Sequence, residues 1–111
     1  MSKLNERTSR HIAPGTAALT EQQIGELLQE APHWTVEGKT LTRSFKFDNY
    51  YETMSFVVAV AMLAHREDHH PEMHVGYNKL TISYSTHSVG GLSENDFICA
   101  AKINGLMAWE G

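Results

Sequence analysis

Residues 34–47, "WTVEGKTLTRSFKF", alternate apolar and polar side chains on both sides of Gly38-Lys39. A period of two is that of a β-strand, whose successive side chains point to opposite faces. A two-residue break containing glycine between two such runs predicts a hairpin. Leu41, Phe45 and Phe47 then share a buried face. Arg43 falls in phase with them and is read as a snorkelling or ion-paired residue, with substrate contact as the alternative. A hairpin pairs its strands antiparallel, and a sheet with one apolar face must be covered on that face, so the neighbouring segments decide the architecture.

Upstream, "TEQQIGELLQEAP" (20–32) opens with Thr20 as a helix N-cap and Gln23 three residues later. It places Ile24, Leu27 and Leu28 on one face and stops at Pro32. Downstream, Asn49 and Glu52 have capping-box spacing, and a second helix is expected through "YETMSFVVAVAMLAHRED" (51–68) towards Pro71. Met54, Val57, Val58 and Ala61 line one of its faces and Phe56, Val60 and Leu63 another. This is more apolar surface than packing on one sheet requires, and the surplus reads as a subunit interface. "MHVGYNKLTISYST" (73–86) predicts two further strands joined near Asn78-Lys79, with Leu80, Ile82 and Tyr84 on one face. "SENDFICAAKINGLMAW" (93–109) predicts a last helix, with Ser93 and Asp96 at capping-box spacing and Phe97, Ala100, Ala101 and Ile103 as apolar positions. The order α-β-β-α-β-β-α defines an α+β fold: a four-stranded antiparallel sheet with three helices packed on one face. Residues 1–18, which include "APGTAA", read as a flexible leader, and 19–111 as a single domain.

A chain of 111 residues holds one hydrophobic core. With 41% hydrophobic and 20% charged residues, and no apolar run near the ~20 residues of a membrane helix, a membrane span is excluded. A net charge of −4 with neutral histidines offers no basic stripe for phosphates, so direct nucleic-acid binding is not expected. Cys99, the single cysteine, excludes an internal disulfide, a Cys-rich zinc site and a Cys-x-x-Cys pair, which fits a reducing cytoplasm. The opening "MSKLNERTSR" lacks the apolar core of a secretory signal.

Five of the seven histidines fall between 65 and 87: His65, His69, His70, His74 and His87. "HREDHHP" (65–71) admits three readings. The first is a solvated helix C-terminus, where cations meet the helix dipole favourably. The second is a metal site, because His65 and His69 are four residues apart as in a zincin, with His87 as a third ligand. Arg66 stands where a zincin carries its glutamate, which argues against a metal. The third is metal-free proton transfer, for which imidazole, with a pKa near 6.5, is suited at neutral pH. His69 and His70 lie in the turn that Pro71 enforces, His87 just past the fourth strand, and Asp96 at the start of the last helix, all element ends where working groups gather.

The spacing of His69-His70-Pro71, Tyr77, His87 and Asp96 resembles the signature of pterin-4a-carbinolamine dehydratases. So do "LT" at 19–20, the set Trp34, Gly38, Leu41, Arg43, Phe45 and Phe47, "YNK" at 77–79, "STH" at 85–87 and "GLSE.D" at 91–96, together about residues 18–107. The resemblance implies a hydro-lyase that dehydrates 4a-hydroxytetrahydropterin to quinonoid dihydropterin in tetrahydropterin recycling, with no cofactor and no metal. It implies His69, His70, His87 and Asp96 as the catalytic group, with His69 and His87 the acid/base pair, His70 chiefly binding substrate, and Asp96 orienting or polarising an imidazole. Trp34, as an aromatic wall, and Pro71, which fixes the turn, complete the substrate-binding set. Asp96 also has a plain structural reading as a helix cap, and Trp34 one as core. His65 departs from the glutamate that family members often carry there. The family also implies dimers through sheet edges and tetramers through the long helix. Some relatives act as non-enzymatic binding modules, a transcription coactivator or a Rubisco-assembly chaperone.

Overall fold

The computed structural model describes residues 3–108. Trp109, expected at the end of the last helix, and the two terminal stretches of the expected leader and domain at 1–2 and 109–111 lie outside the described residues. Helix α1 (Glu21–Leu28) is followed by β1 (Thr35–Glu37) and β2 (Thr40–Lys46), then α2 (Tyr50–Glu67), β3 (Glu72–Val75), β4 (Lys79–Tyr84) and α3 (Glu94–Ala108). The sequence order of elements is therefore the observed one, with short 3-10 turns added at Leu4–Glu6 and His87–Val89.

Local signals set the boundaries. Thr20 and Gln23 form a reciprocal capping box at α1, and the Asn49 side chain accepts from the Glu52 N–H at α2. Gly38 turns the first hairpin in the left-handed region, with φ 62°. The second hairpin turns over residues 76–78, slightly earlier than Asn78-Lys79, with Gly76 N–H donating to the Lys79 carbonyl at 2.8 Å.

The sheet order is β1-β2-β4-β3, antiparallel throughout. Helix α2 carries the chain from β2 past the next sheet position to the edge strand β3, and β4 returns to the centre. The register pairs Leu41 with Tyr84, Arg43 with Ile82 and Phe45 with Leu80, so one face is apolar. The opposite face pairs Thr42 with Ser83 and Ser44 with Thr81 through hydroxyl–hydroxyl bonds of 3.1 and 2.9 Å. Arg43, in phase with the apolar residues, reaches the Asn104 Oδ1 and lies over the Phe45 ring, 4.3 Å from its centroid. It is hydrogen-bonded and stacked rather than ion-paired, and burial lowers its pKa from the ordinary value.

Of the two apolar faces of α2, Phe56, Val60 and Leu63 turn to the core with Phe97, Ile98 and Ile103 of α3. Val58 and Met62 remain 58% and 66% exposed. The stretch read as a leader is not separate from this core: Leu4 is 1% exposed within it, and the Lys102 Nζ donates to the Asn5 carbonyl at 2.9 Å.

Candidate active site

The topology brings the sequence-distant candidates to one end of the sheet. Because Glu72 pairs with Ser83 in an antiparallel register, the chain just before β3 and the chain just after β4 emerge side by side. The first carries His69, His70 and Pro71, and the second carries Thr86 and His87. A bridge between Thr86 and Gly91 closes the β4–α3 loop and delivers the first turn of α3, with Asp96, to the same place.

The end of α2 determines how His69 points. Asp68 is left-handed, with φ 52° and ψ 44°. Its N–H donates to the His65 carbonyl and the His69 N–H to the Ala64 carbonyl, at 3.2 and 3.1 Å. These are the two bonds of a Schellman motif, which ends the helix and reverses the chain. His69 is thereby turned inward onto β4. Its ring stacks on Tyr84 with centroids 5.1 Å apart at 20°, and the Tyr84 hydroxyl donates to the His69 carbonyl at 3.2 Å.

Asp96 is 0% exposed, and both of its carboxylate oxygens are hydrogen-bonded. Its Oδ1 lies 2.5 Å from the His69 Nε2, and its Oδ2 accepts from the Thr86 Oγ1 at 2.8 Å and the Ser93 N–H at 2.9 Å. The Thr86 and Ser93 hydroxyls also pair, at 2.6 Å. The Ser93 bond is half of a capping box, so Asp96 caps α3 and holds the imidazole at once. A carboxylate on Nε2 fixes the proton there and leaves Nδ1 as the basic nitrogen. Nδ1 has no hydrogen-bond partner among the described residues. Such a dyad can accept a proton at Nδ1, stabilise the resulting imidazolium, and return the proton.

His69 borders a cleft of ≈ 370 Å³, within the range of small-ligand sites. Glu67, Asp68, Thr86, Ser88 and Asn95 contribute to its walls. His87 sits between two of these residues and is exposed, as is His70, although neither is itself part of the lining. Pro71 is half-buried in the turn. Trp34 is not brought to this opening. It is 4% exposed, its indole N–H donates to the Asn104 Oδ1 at 2.8 Å, and it meets Phe45 and Tyr84 edge-on or tilted. Tyr84 therefore stands between it and His69. His65 is exposed on α2 and His74 on β3, and among the described residues no three His, Cys, Asp or Glu side chains converge as a metal site.

Sequence reasoning named Ser93 as the capping partner of Asp96, which the structure bears out, but missed Tyr84 and Thr86 as supports of the pair. Tyr84 counted only as an inward residue of an alternating strand, and Thr86 only as part of the "STH" stretch. A threonine two residues past the end of a strand and next to a candidate histidine was the available signal.

The structure is thus an α+β layer with a histidine–carboxylate pair at one end of its sheet. The chain belongs to the pterin 4 alpha carbinolamine dehydratase family, whose family model matches residues 17–106. It is 56% identical over 88 residues, 79% of this chain and 78% of the relative, to a protein of Nitrosospira multiformis provisionally named pterin-4-alpha-carbinolamine dehydratase. A relative of Bdellovibrio bacteriovorus with the same provisional name is 50% identical across 96% of this chain and 92% of its own. Among solved structures, a transcriptional coactivator/pterin dehydratase from Brucella melitensis superposes with a TM-score of 0.75 at 36% identity, covering 80% of this chain and 97% of that one. A pterin dehydratase-like protein identified as a RuBisCO assembly factor in the alpha-carboxysome gives a TM-score of 0.58 at 26% identity over 69% and 92%.

Proposed function

We propose that this protein dehydrates 4a-hydroxytetrahydropterin to quinonoid dihydropterin by histidine acid/base catalysis, in the recycling of tetrahydropterin. The observation that carries this reading is the His69–Asp96 pair, with Nδ1 free of hydrogen-bond partners among the described residues. The reaction expels the 4a hydroxyl as water and removes the proton from the neighbouring ring nitrogen. His69 is assigned the base role at N5, since Asp96 stabilises the cation it becomes. His87, in contact with water, protonates the leaving hydroxyl, and His70 binds substrate at the rim. No cofactor enters this scheme.

The cytoplasm is the proposed compartment, consistent with one free, buried thiol. No described helix is long and apolar enough to cross a membrane. Dimers through an exposed sheet edge and tetramers through α2 are the proposed assemblies, and the exposed Val58 and Met62 support the second. The same surface supports the other reading, a non-enzymatic binding module like the coactivator or assembly-factor relatives.

The purified protein, without added metal, is expected to accelerate loss of the carbinolamine measured against its spontaneous dehydration. Absence of any acceleration would overturn the dehydratase reading in favour of the binding module.

A further inference from the structure

The family match begins at residue 17, yet the chain before it is fastened to the site. The Ser9 N–H donates to the Glu67 Oε1 at 2.9 Å, and the Ser9 hydroxyl donates to the Glu67 carbonyl. The Arg10 N–H donates to the Asn95 Oδ1 at 3.0 Å, while the Asn95 Nδ2 donates to the Arg10 carbonyl at 2.7 Å. One side-chain amide thus satisfies both main-chain groups of one residue.

Both anchors are buried, and both sit beside the dyad in sequence. Glu67 precedes His69 by two residues, and Asn95 immediately precedes Asp96. A buried carboxylate and a buried amide cost free energy unless they are hydrogen-bonded. Here the segment supplies those bonds, apart from the Lys102 Nζ at 3.9 Å and the Arg66 Nε at 3.7 Å from the Glu67 Oε2. The two chain segments that carry His69 and Asp96 therefore also anchor residues 9 and 10.

Ser9, Arg10, His11 and Ile12 consequently form one wall of the His69 cleft. The anchoring uses the backbone of Arg10, and no hydrogen bond or ion pair engages its guanidinium or the His11 imidazole among the described residues. Both residues are exposed. A segment that served only to cover apolar surface would be held by its side chains. This one is held chiefly by its backbone, and its polar side chains stay available at the cleft.

We propose that residues 9–12 are a specificity wall of the substrate site, in which Arg10 and His11 donate hydrogen bonds to a hydroxylated side chain on the pterin ring. This rests on the dehydratase reading and adds to it the part of the substrate that is discriminated. The wall acts on binding, because the proton-transfer groups lie on other elements.

The test compares two carbinolamines, one bearing a dihydroxypropyl side chain at ring position 6 and one bearing a methyl group there, with the full-length protein and the R10A/H11A variant. The variant leaves both backbone anchors in place. For the hydroxylated substrate, KM is expected to rise about tenfold, the loss of roughly 1.4 kcal/mol of binding, with kcat within twofold. For the methyl substrate neither constant should move. Asn95→Ala, which removes the anchor of the Arg10 backbone, is expected to show the same selective KM increase. Unchanged constants in R10A/H11A, or equal losses for both substrates, would overturn the wall while leaving the dehydratase reading intact. Failure of the full-length protein to turn over either substrate would overturn both.

Discussion

His69 and His87 stand at the same end of the sheet in opposite environments. The first is stacked on Tyr84, tied through Nε2 to Asp96 and largely enclosed, whereas the second begins a 3-10 turn in solvent. The difference teaches how two identical side chains can be given different work. The embedded ring has one tautomer imposed on it and one nitrogen left to act, which suits a group that must take a proton from a fixed atom. The exposed ring has no imposed tautomer and exchanges protons with water, which suits a group that must be reloaded between turnovers. Asp96 is invested wholly in the first of these.

The largest effect expected from breaking this contrast is that of Asp96→Asn. The amide keeps the volume but removes the charge and can present an N–H to Nε2, forcing the other tautomer. Steady-state kinetics with the carbinolamine should show kcat lower by about 10⁴-fold, by analogy with the Asp→Asn change in other histidine dyads. A reduction under tenfold would mean that the pair caps a helix and does no chemistry. His87→Ala should cost less, about 100-fold in kcat, the low end of the roughly 10²–10⁴ that a positioned general acid contributes, because water can partly replace an exposed one. Normal rates in that variant would remove His87 from the acid role. If the His87 loss exceeded the Asp96 loss, the assignment of base and acid would have to be reversed.

A smaller effect distinguishes the buried half through stability. Burial pushes the Cys99 thiol from its ordinary 9.0 up to about 12, and burial also raises the pKa of Tyr84. Both groups ionise at lower pH when unfolded than when folded. Their contribution to stability is therefore complete below the unfolded values and is lost as pH rises through about 9 to 12. Denaturant unfolding across that interval should show stability falling by up to about 1.4 kcal/mol per pH unit for each group. Cys99→Ala should reduce the slope, while His87→Ala should leave it unchanged.

Much of this arrangement was legible beforehand. The hairpins, all three helices and the caps at Thr20 and Asn49 follow from periodicity and short-range hydrogen bonding, which depend on residues a few positions apart. The resemblance singled out His69 and Asp96 along with His70 and His87, and the structure joins the first two. Trp34 was harder to place, because an aromatic residue at a strand start has the same local pattern whether it lines a site or fills a core. Its bond to Asn104, 70 residues away, decides the matter. Arg43 looked anomalous for the same reason, since its hydrogen-bond partner is that same Asn104 on α3.

The sequence by itself determined the element order, the antiparallel pairing and the residue types of the proposed proton-transfer site, because alternation, capping and turn chemistry are local. Only the tertiary structure decided which face of α2 is buried, which imidazole receives the Asp96 carboxylate, and that residues 4–12 belong to the folded domain. Each of these depends on surfaces that meet across the fold: two apolar faces compete for one core, several histidines for one carboxylate, and a polar N-terminal stretch finds buried partners in Glu67 and Asn95 only after α2 and α3 have packed.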